Sequence, residues 1–282
     1  MNKKQHFLDV KDHSITRELF QLIYNKELDM LETHPQPSPG NLHKYYESED
    51  YISHTDSRRN LLENIYHFVR KFTLSSKVNL INNHISSNKS LLDIGCGTGD
   101  FLYRAMQSGW NVTGMEPNVQ ARKIANSKIH NRVLNSSALF EIKEQFDVIT
   151  LWHVLEHVPN LEAYIKQIKL LLKSKGALII AVPNYKSFDA TYYKSFWAAY
   201  DVPRHLWHFS KLSISKLFGY NDFEIVDIKP MFFDAFYVSL LSEKYKESTL
   251  GLFKAFFIGL YSNIKGLFSK EYSSHIYILK KK

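Results

Sequence analysis

The sequence predicts an α/β protein in which a mostly parallel sheet of seven strands carries helices on both faces. Two observations predict this fold class. Short apolar segments alternate along the chain with helix-length segments, which requires crossover connections between parallel strands. Residues 91–100 also read as an apolar strand that runs into a loop with three closely spaced glycines. Because ligands bind at the carboxyl ends of parallel strands, we expect the functional site at that edge of the sheet.

The elements of the sheet can be assigned in chain order. Residues 58–85 carry apolar side chains at helical spacing without proline or glycine, so a long helix is expected to lead into the sheet. The seven strands are expected at residues 91–94, 111–116, 132–134, 146–152, 177–182, 223–228 and 274–279. Helices are expected at residues 101–108, 118–127 and 161–172. The last two strands are predicted to close the sheet as an antiparallel pair.

The remaining segments divide the chain into parts. Residues 1–57 are polar and irregular, with a proline-rich turn at 34–40, and are expected to form an N-terminal appendage or lid. Residues 58–234 are expected to be the core with its lead-in helix, and residues 235–271 a helical insertion. Residues 272–282 would then supply the final strand of the core.

Composition excludes several functional classes. The chain has 282 residues, 44% of them hydrophobic, and a single cysteine, Cys96, so no internal disulfide is possible. The N-terminal residues lack the apolar core of a signal peptide and no uninterrupted apolar run is long enough to span a bilayer, so a cytoplasmic protein is expected. The net charge of +8 comes mainly from lysines in residues 242–282 and forms no arginine-rich stripe, so a nucleic-acid partner is not expected.

The glycine spacing distinguishes between nucleotide cofactors. A dinucleotide site has the pattern G-x-G-x-x-G, whereas Gly95, Gly97 and Gly99 follow G-x-G-x-G with Asp93 two residues earlier. An acidic residue beside the loop suits a cofactor that carries an amine and a positive centre, as S-adenosylmethionine does. Glu116 ends the next predicted strand, where a carboxylate can accept hydrogen bonds from both ribose hydroxyls.

Four motifs in order carry a family resemblance: LLDIGCGTGDFL at 91–102, VTGMEPN at 112–118, FDVITLWHVLEHVPN at 146–160 and GALIIAVPN at 176–184. With them, the chain resembles the class I S-adenosylmethionine-dependent methyltransferases, in the group with a Leu-Glu-His element after strand four. The resemblance implies a Rossmann-like fold and S-adenosyl-L-homocysteine as the product. It implies these cofactor-binding residues: Asp93, Gly95, Cys96, Gly97, Gly99, Glu116, Pro117, Trp152 and His153.

Residues 51–54 and 201–210 also look like that family's signature, and they supply candidates for the acceptor side. Tyr46, Tyr51 and His54 are candidates for a lid over the cofactor, and Tyr200 for a wall of the acceptor pocket. Relatives often carry cysteine pairs of zinc-ribbon type near the N-terminus, but this chain has none there, so no structural zinc is expected.

Three residues are candidates for catalysis. His157 and His205 are possible general bases for an acceptor that must lose a proton, and Arg204 could bind an anionic acceptor. The alternatives are structural: the Leu-Glu-His element could be an ordinary helix start, and Arg204 could pair with Asp201. A metal site formed by His153, His157 and the pair His205 and His208 is geometrically possible, but no metal is expected.

The expected acceptor is an oxygen or carbon atom of a small metabolite, which could be hydrophobic or lipid-like. Enzymes that methylate amino groups of bases or glutamine often show Asn/Asp-Pro-Pro-aromatic after strand four, where this chain has residues 152–155, WHVL. Three alternatives remain at this point: a catalytically inactive S-adenosylmethionine-binding module, a methyltransferase acting on a macromolecule, and a dinucleotide oxidoreductase of the same fold class.

The predicted insertion carries an apolar stripe with two lysines, Lys254 and Lys265, beside it. The stripe residues are spaced by three and four: Leu250, Phe253, Phe257, Leu260, Ile264 and Phe268. Three interpretations are open for the helix at 249–268: packing of the stripe on its own domain, a homodimer seam, or peripheral contact with a membrane. A monomer and a homodimer are both compatible with the sequence.

Overall fold

The computed structural model describes residues 4–46, 61–84 and 89–282. Its strands, in chain order, are β1 (Lys4–Lys11), β2 (Leu19–Asn25), β3 (Met30–His34), β4 (Ser90–Ile94), β5 (Asn111–Met115), β6 (Val133–Leu134), β7 (Phe146–Trp152), β8 (Leu172–Pro183), β9 (Trp207–His208), β10 (Phe223–Pro230) and β11 (Ser274–Lys281). Its α-helices are α1 (Leu61–Asn82), α2 (Asp100–Gln107), α3 (Val119–Lys128), α4 (Leu161–Leu171), α5 (Phe188–Tyr193), α6 (Lys211–Gly219), α7 (Phe232–Tyr245) and α8 (Gly251–Ser269).

Seven strands form the central sheet in the order β10-β11-β8-β7-β4-β5-β6. The pairs from β8 to β6 are parallel, and β11 is antiparallel to both of its neighbours. Successive residues of a strand enter different cores: Leu91 and Val148 pack under α1 and α2, whereas Leu92 and Ile149 pack under α4 and α6. The predicted Rossmann-like α/β fold, including the antiparallel closing pair, is confirmed.

The N-terminal segment differs from the expectation of an irregular appendage. The strands β1, β2 and β3 form an antiparallel sheet, and β3 also pairs with β9, which lies after the core strand β8. In β2 the apolar residues Phe20 and Leu22 are buried and alternate with the exposed Leu19 and Gln21. The two buried side chains contact a core that includes Trp197 from the segment after β8. Short strands with alternating polar residues look irregular in a sequence, because each has only two or three inward side chains.

A buried ion network attaches this N-terminal sheet to the core. The guanidinium of Arg204 donates to Asp12 at 2.9 Å, to Asp201 at 2.7 Å and to the backbone carbonyl of Tyr45 at 3.1 Å. Arg204 is 7% exposed and Asp12 is fully buried. Burial alone would raise the pKa of Asp12, but hydrogen bonds from Arg204 and Thr16 hold it at about 2. Both carboxylates are therefore ionised and depend on one buried cation.

The helices α7 and α8 form a hairpin between β10 and β11, and α8 packs on the domain through small residues. Its buried positions are Ala255, Gly259, Ser262 and Gly266. A Cβ added at Gly259 would lie 2.9 Å from the backbone of Phe236 on α7, so the two helices approach closely only because this residue is glycine.

The apolar stripe of the hairpin points away from the domain. Its members, which we call the outer stripe, are all exposed: Leu250, Phe253, Phe257, Leu260, Ile264 and Phe268. Of the three interpretations from the sequence, packing of this stripe on its own domain is wrong, because the small residues occupy the inward face. No helix in the described parts of the chain combines the length and apolar character required to cross a bilayer.

We predict that Arg204→Met lowers the free energy of unfolding by about 3–5 kcal/mol, because it leaves the buried carboxylate of Asp12 and the partly buried carboxylate of Asp201 without their cation. The matched control is Lys166→Met, which breaks the exposed pair between Lys166 and Glu162 and is expected to cost less than about 1 kcal/mol. Urea unfolding followed by circular dichroism measures both variants. Equal, small losses in the two variants would show that the Arg204 network does not hold the N-terminal sheet in place.

Candidate functional site

The glycine loop between β4 and α2 has a backbone that only glycine adopts easily. Gly95, Gly97 and Gly99 have φ values of 74°, 54° and 78°. A Cβ at Gly95 would lie 2.4 Å from Val154, and one at Gly99 would lie 2.9 Å from Ala125. No atom within the described structure lies within 4 Å of a Cβ added at Gly97. The outer glycines therefore pack against the protein, while the central glycine keeps the loop open to a ligand.

A cleft of about 320 Å³ opens beside this loop at the carboxyl edge of the sheet. Five of the predicted cofactor-binding residues line it: Asp93, Gly95, Cys96, Gly97 and Trp152. Thr73, Leu74 and Lys77 of α1 line the opposite side. The predicted residues Gly99 and His153 are chain neighbours of lining residues but do not line the cleft themselves. Glu116 and Pro117 do not line it either, although Glu116 accepts a hydrogen bond from the backbone of the lining residue Gly97. Burial raises the pKa of the Cys96 thiol, so this cysteine stays a neutral thiol.

Asp93 is a buried carboxyl group that titrates near neutral pH. It is 2% exposed and accepts a hydrogen bond of 2.6 Å from Thr150 Oγ1. Burial raises its pKa to about 7, and the Glu116 carboxylate adds to the rise, while Thr150 and the charge of Lys77 oppose it. A positive ligand group in the cleft would therefore be bound by a carboxyl group that is easily deprotonated.

Glu116 holds the glycine loop in place. Its two carboxylate oxygens accept hydrogen bonds of 2.9 Å from the backbone N–H groups of Gly97 and Asn118. Burial raises the pKa of this residue, and the two backbone hydrogen bonds oppose the rise. Each oxygen retains lone-pair capacity for a further donor, as the predicted ribose contact requires.

Lys77 is a residue of the site that the sequence analysis missed. Its ammonium lies 4.2 Å from the centroid of the Trp152 ring, and it is the only cationic side chain among the described residues that line the cleft. Burial lowers its pKa, while Asp93 and Asp234 act in the opposite direction. No motif surrounds Lys77, and α1 reaches the cleft only through packing on the sheet, so no local signal could have identified it.

A second group of titratable side chains follows β7 in the turn Leu155–His157. Glu156 is 1% exposed, and neither of its carboxylate oxygens has a hydrogen-bond partner within the described structure. His153 Nδ1 lies 3.4 Å from Glu156 Oε1, and His153 Nε2 lies 3.1 Å from Oδ2 of Asp234 on α7. Burial opposes protonation of His153, but the two carboxylates raise its pKa to about 10. His153 is therefore a cation that joins the α7–α8 hairpin to this turn.

Two further histidines, His157 and His205, lie beside Glu156. His157 Nδ1 lies 3.0 Å from the carbonyl oxygen of Arg204, and His205 Nδ1 lies 2.8 Å from that of Ala199. Because a carbonyl oxygen only accepts, each Nδ1 donates, and the neutral His157 ring keeps a lone pair on Nε2. The centroids of the His157 and His205 rings are 4.6 Å apart, and the rings meet edge to face. Burial and the neighbouring His205 lower the pKa of His157 to about 4, so His157 is neutral at pH 7.

Glu156, His157 and His205 converge, and we call these three residues the acceptor cluster. Their ligand atoms lie within 4.8 Å of one another, close enough to take up a proton or to hold a metal ion. The sequence analysis expected no metal and considered His153 and His208 as the partners of His157 and His205. Instead, His153 pairs with carboxylates, and His208 Nε2 lies 3.0 Å from Thr33 Oγ1.

The other predicted acceptor-side residues lie in different environments. The pairing of Arg204 with Asp201, considered as an alternative, is present, and its guanidinium belongs to the buried network. Tyr200 is 2% exposed and packs edge to face on Trp197. The hydroxyl of Tyr46 lies 3.1 Å from His157 Nδ1, at the acceptor cluster. The lid candidates Tyr51 and His54 lie outside the described residues.

The chain is similar in sequence to known methyltransferases. A family model described as "Methyltransferase domain" (Methyltransf_23) matches residues 63–228. The chain is 33% identical over 117 residues to a protein named ubiquinone biosynthesis O-methyltransferase from Stutzerimonas stutzeri, covering 38% of this chain and 50% of that protein. A protein of the same name from Pelagibacter ubique is 31% identical over 163 residues, covering 50% of this chain and 68% of that protein. The chain spans about half the length of the first of these curated relatives.

Solved structures show the same fold at low sequence identity. Magnesium protoporphyrin IX methyltransferase from Synechocystis PCC 6803, solved with bound S-adenosylhomocysteine, superposes with a TM-score of 0.54 at 18% identity. That match covers 81% of this chain and 91% of the other. A cyclopropane synthase from Mycobacterium tuberculosis superposes with a TM-score of 0.54 at 15% identity, covering 84% of this chain and 95% of the other.

The resemblance drawn from the four sequence motifs is confirmed by the family model, which spans more than half of the chain and includes both the glycine loop and the acceptor cluster. This chain belongs to the methyltransferase-domain family.

Proposed function

We propose that this protein is an active S-adenosylmethionine-dependent methyltransferase that methylates a hydroxyl oxygen of a small, hydrophobic acceptor. The observation that supports S-adenosylmethionine as the cofactor is that one acidic and one basic side chain, Asp93 and Lys77, line the same cleft. The amino-acid end of S-adenosylmethionine carries an ammonium and a carboxylate. Asp93 would bind the ammonium and Lys77 the carboxylate, while Glu116 would accept from the ribose hydroxyls.

The acceptor cluster supports catalysis and an oxygen acceptor. Bound S-adenosylmethionine supplies a methyl group on a positively charged sulfur. A hydroxyl acceptor must lose its proton as it attacks, and His157 Nε2 offers a lone pair for that proton. Burial raises the pKa of Glu156, but the neighbouring histidines, His153 foremost, lower it below its usual value. The Glu156 carboxylate is therefore negative and would stabilise the imidazolium formed beside it. The names of the curated relatives, which are O-methyltransferases, also favour oxygen.

The direct test is calorimetric titration of the full chain with S-adenosylmethionine, S-adenosylhomocysteine and NADH. We expect micromolar binding of the two adenosyl compounds and none of NADH. Production of S-adenosylhomocysteine is then measured with apolar phenols and catechols as acceptors. Binding without turnover of any acceptor would favour an inactive binding module, and binding of NADH alone would favour an oxidoreductase.

Cofactor affinity should depend on the ionisation of Asp93. Since the folded-state pKa is about 7, the charged form that binds the ammonium is lost as the pH falls below 7. Affinity for S-adenosylhomocysteine should then fall by up to about tenfold per pH unit, and Asp93→Asn should bind weakly without this dependence. Calorimetric titrations of the wild type and Asp93→Asn with S-adenosylhomocysteine between pH 5.5 and 8 measure this dependence.

The stability of the ligand-free protein should change with pH in the opposite direction. Because burial raises the pKa from 3.8, the protonated form favours folding, and this contribution is lost as the pH rises from about 4 through about 7. Melting temperatures of the wild type and Asp93→Asn show whether this trend belongs to Asp93. In the affinity titrations, the same dependence on pH in the wild type and in Asp93→Asn would exclude Asp93 as the ligand of the ammonium group.

Loss of the Lys77 charge should weaken recognition of the amino-acid end alone. We predict that Lys77→Met binds S-adenosylhomocysteine about tenfold or more weakly, the loss expected for one charge-assisted hydrogen bond. Methylthioadenosine, which has no amino-acid end, should bind the variant and the wild type equally. Lys123→Met, at an exposed lysine of α3, is the matched control. Equal weakening for both ligands would mean that Lys77 only supports the shape of the cleft.

Removal of the base should slow turnover without affecting the cofactor. We predict that His157→Ala lowers kcat by about 10²–10⁴-fold and leaves the affinity for S-adenosylhomocysteine unchanged. His6→Ala, at an exposed histidine of β1, should change neither quantity.

A chelator distinguishes a base from a metal ligand at the acceptor cluster. Wild-type activity should survive the chelator EDTA. Activity that is abolished by EDTA and restored by a divalent ion would assign the acceptor cluster to metal binding instead.

A further inference from the structure

The outer stripe is an unusually apolar surface for a helix that is already packed on its domain. Phe268 is 83% exposed, Phe253 is 68% exposed and Phe257 is 61% exposed. Isolated exposed apolar residues are ordinary, but a contiguous apolar face marks a contact site.

The two faces of α8 are well separated around the helix axis. Successive residues of an α-helix are about 100° apart, so the small residues at 255, 259, 262 and 266 form one narrow inward face. The outer stripe is centred on the opposite side, and Lys254 and Lys265 lie together at one border of it. The helix therefore has an inward face for the domain, an outward apolar face, and a cationic border.

The charges around this face have a single sign. From residue 249 to residue 270 the chain contains Lys254, Lys265 and Lys270 but no aspartate or glutamate. A phospholipid surface with anionic headgroups complements such a face, because aromatic side chains enter the interface while lysines reach the headgroups. A second copy of the chain would instead bring the lysines of the two copies together without acidic partners from this segment.

We propose that the outer stripe of α8 docks this protein on the surface of an anionic phospholipid bilayer, with Lys254 and Lys265 at the headgroups. The helix lies in the interface and does not cross it, in accord with its length and composition. This inference does not depend on the proposed methyl transfer.

The position of the hairpin relates this surface to the site. The first turn of α7 supplies Phe232 and Phe233 to the wall of an apolar cavity of about 380 Å³, and both side chains are also exposed. Thr73 and Lys77 line both this cavity and the cofactor cleft, so the two spaces adjoin each other. Docking through the hairpin would therefore hold this apolar cavity, which adjoins the cofactor cleft, near the lipid surface.

The test is co-sedimentation of the full chain with vesicles of phosphatidylcholine, with and without about one-third phosphatidylserine. We expect binding to the anionic vesicles that weakens as salt is raised, and much less binding to the neutral ones. The triple variant Phe253→Ser, Phe257→Ser, Phe268→Ser should bind at least tenfold more weakly. Its matched control is Val119→Ser, Leu170→Ser, Tyr220→Ser, which removes three equally exposed apolar side chains elsewhere on the surface.

A second pair of variants tests the charge without altering the apolar face. Lys254→Glu with Lys265→Glu should abolish the preference for anionic vesicles, whereas Lys143→Glu with Lys175→Glu, at exposed lysines elsewhere, should not. Melting temperatures and cofactor titrations check that every variant is folded. Equal vesicle binding by the wild type and the triple variant would overturn the proposal. Sedimentation velocity showing a dimer that the triple variant abolishes, with no vesicle binding, would assign the face to a second copy.

Discussion

The guanidinium of Arg204 is the contact on which the arrangement of this molecule depends. It neutralises Asp12 in the N-terminal sheet and Asp201 in the core, and it donates to the carbonyl of Tyr45. The backbone carbonyl of the same residue accepts from His157. One buried residue therefore attaches an additional sheet to the core and orients a ring of the acceptor cluster. Such a network is rigid because each buried charge is unfavourable without its partner.

The site combines a common framework with particular charges. The glycine loop and Glu116 form a cradle at the carboxyl edge of the sheet, which is where an α/β fold generally binds its ligand. The charges beside the cradle come from different elements: Asp93 lies on β4 and Lys77 on α1. In the proposed function, these two charges would bind the two oppositely charged ends of one ligand. Glu156 and His157 of the acceptor cluster follow β7, which is the neighbour of β4 in the sheet, so the proposed cofactor site and the proposed base lie beside adjacent strands.

The α7–α8 hairpin shows how a helix can be stable on a domain while its large apolar residues remain outside. Small inward residues let the helix backbone approach α7 closely, and close approach gives extensive packing without large side chains. Ser262 adds a hydrogen bond of 2.6 Å to the buried carboxylate of Asp189. The aromatic residues are thereby left available for a partner. His153, which pairs with Asp234 on α7, connects the same hairpin to the turn that carries Glu156.

The sequence by itself determined the fold class, the order of the core elements and the glycine loop with its two acids. These features depend on local patterns: alternation, helical spacing, and glycines where the backbone requires a positive φ. The strand at residues 146–152 was predicted with the bounds that the structure gives, because a continuous apolar run between polar segments has few other interpretations.

Only the tertiary structure decided the rest, since it depends on contacts between residues far apart in the chain. Arg204 and Asp12 are 192 positions apart, and no periodicity relates them. The same is true of Lys77 in the cofactor cleft and of His205 beside Glu156. In α8, the small residues and the large apolar residues share the same helical spacing, so periodicity could not say which face is buried. The close approach that Gly259 permits to α7 settled that choice in favour of the small residues.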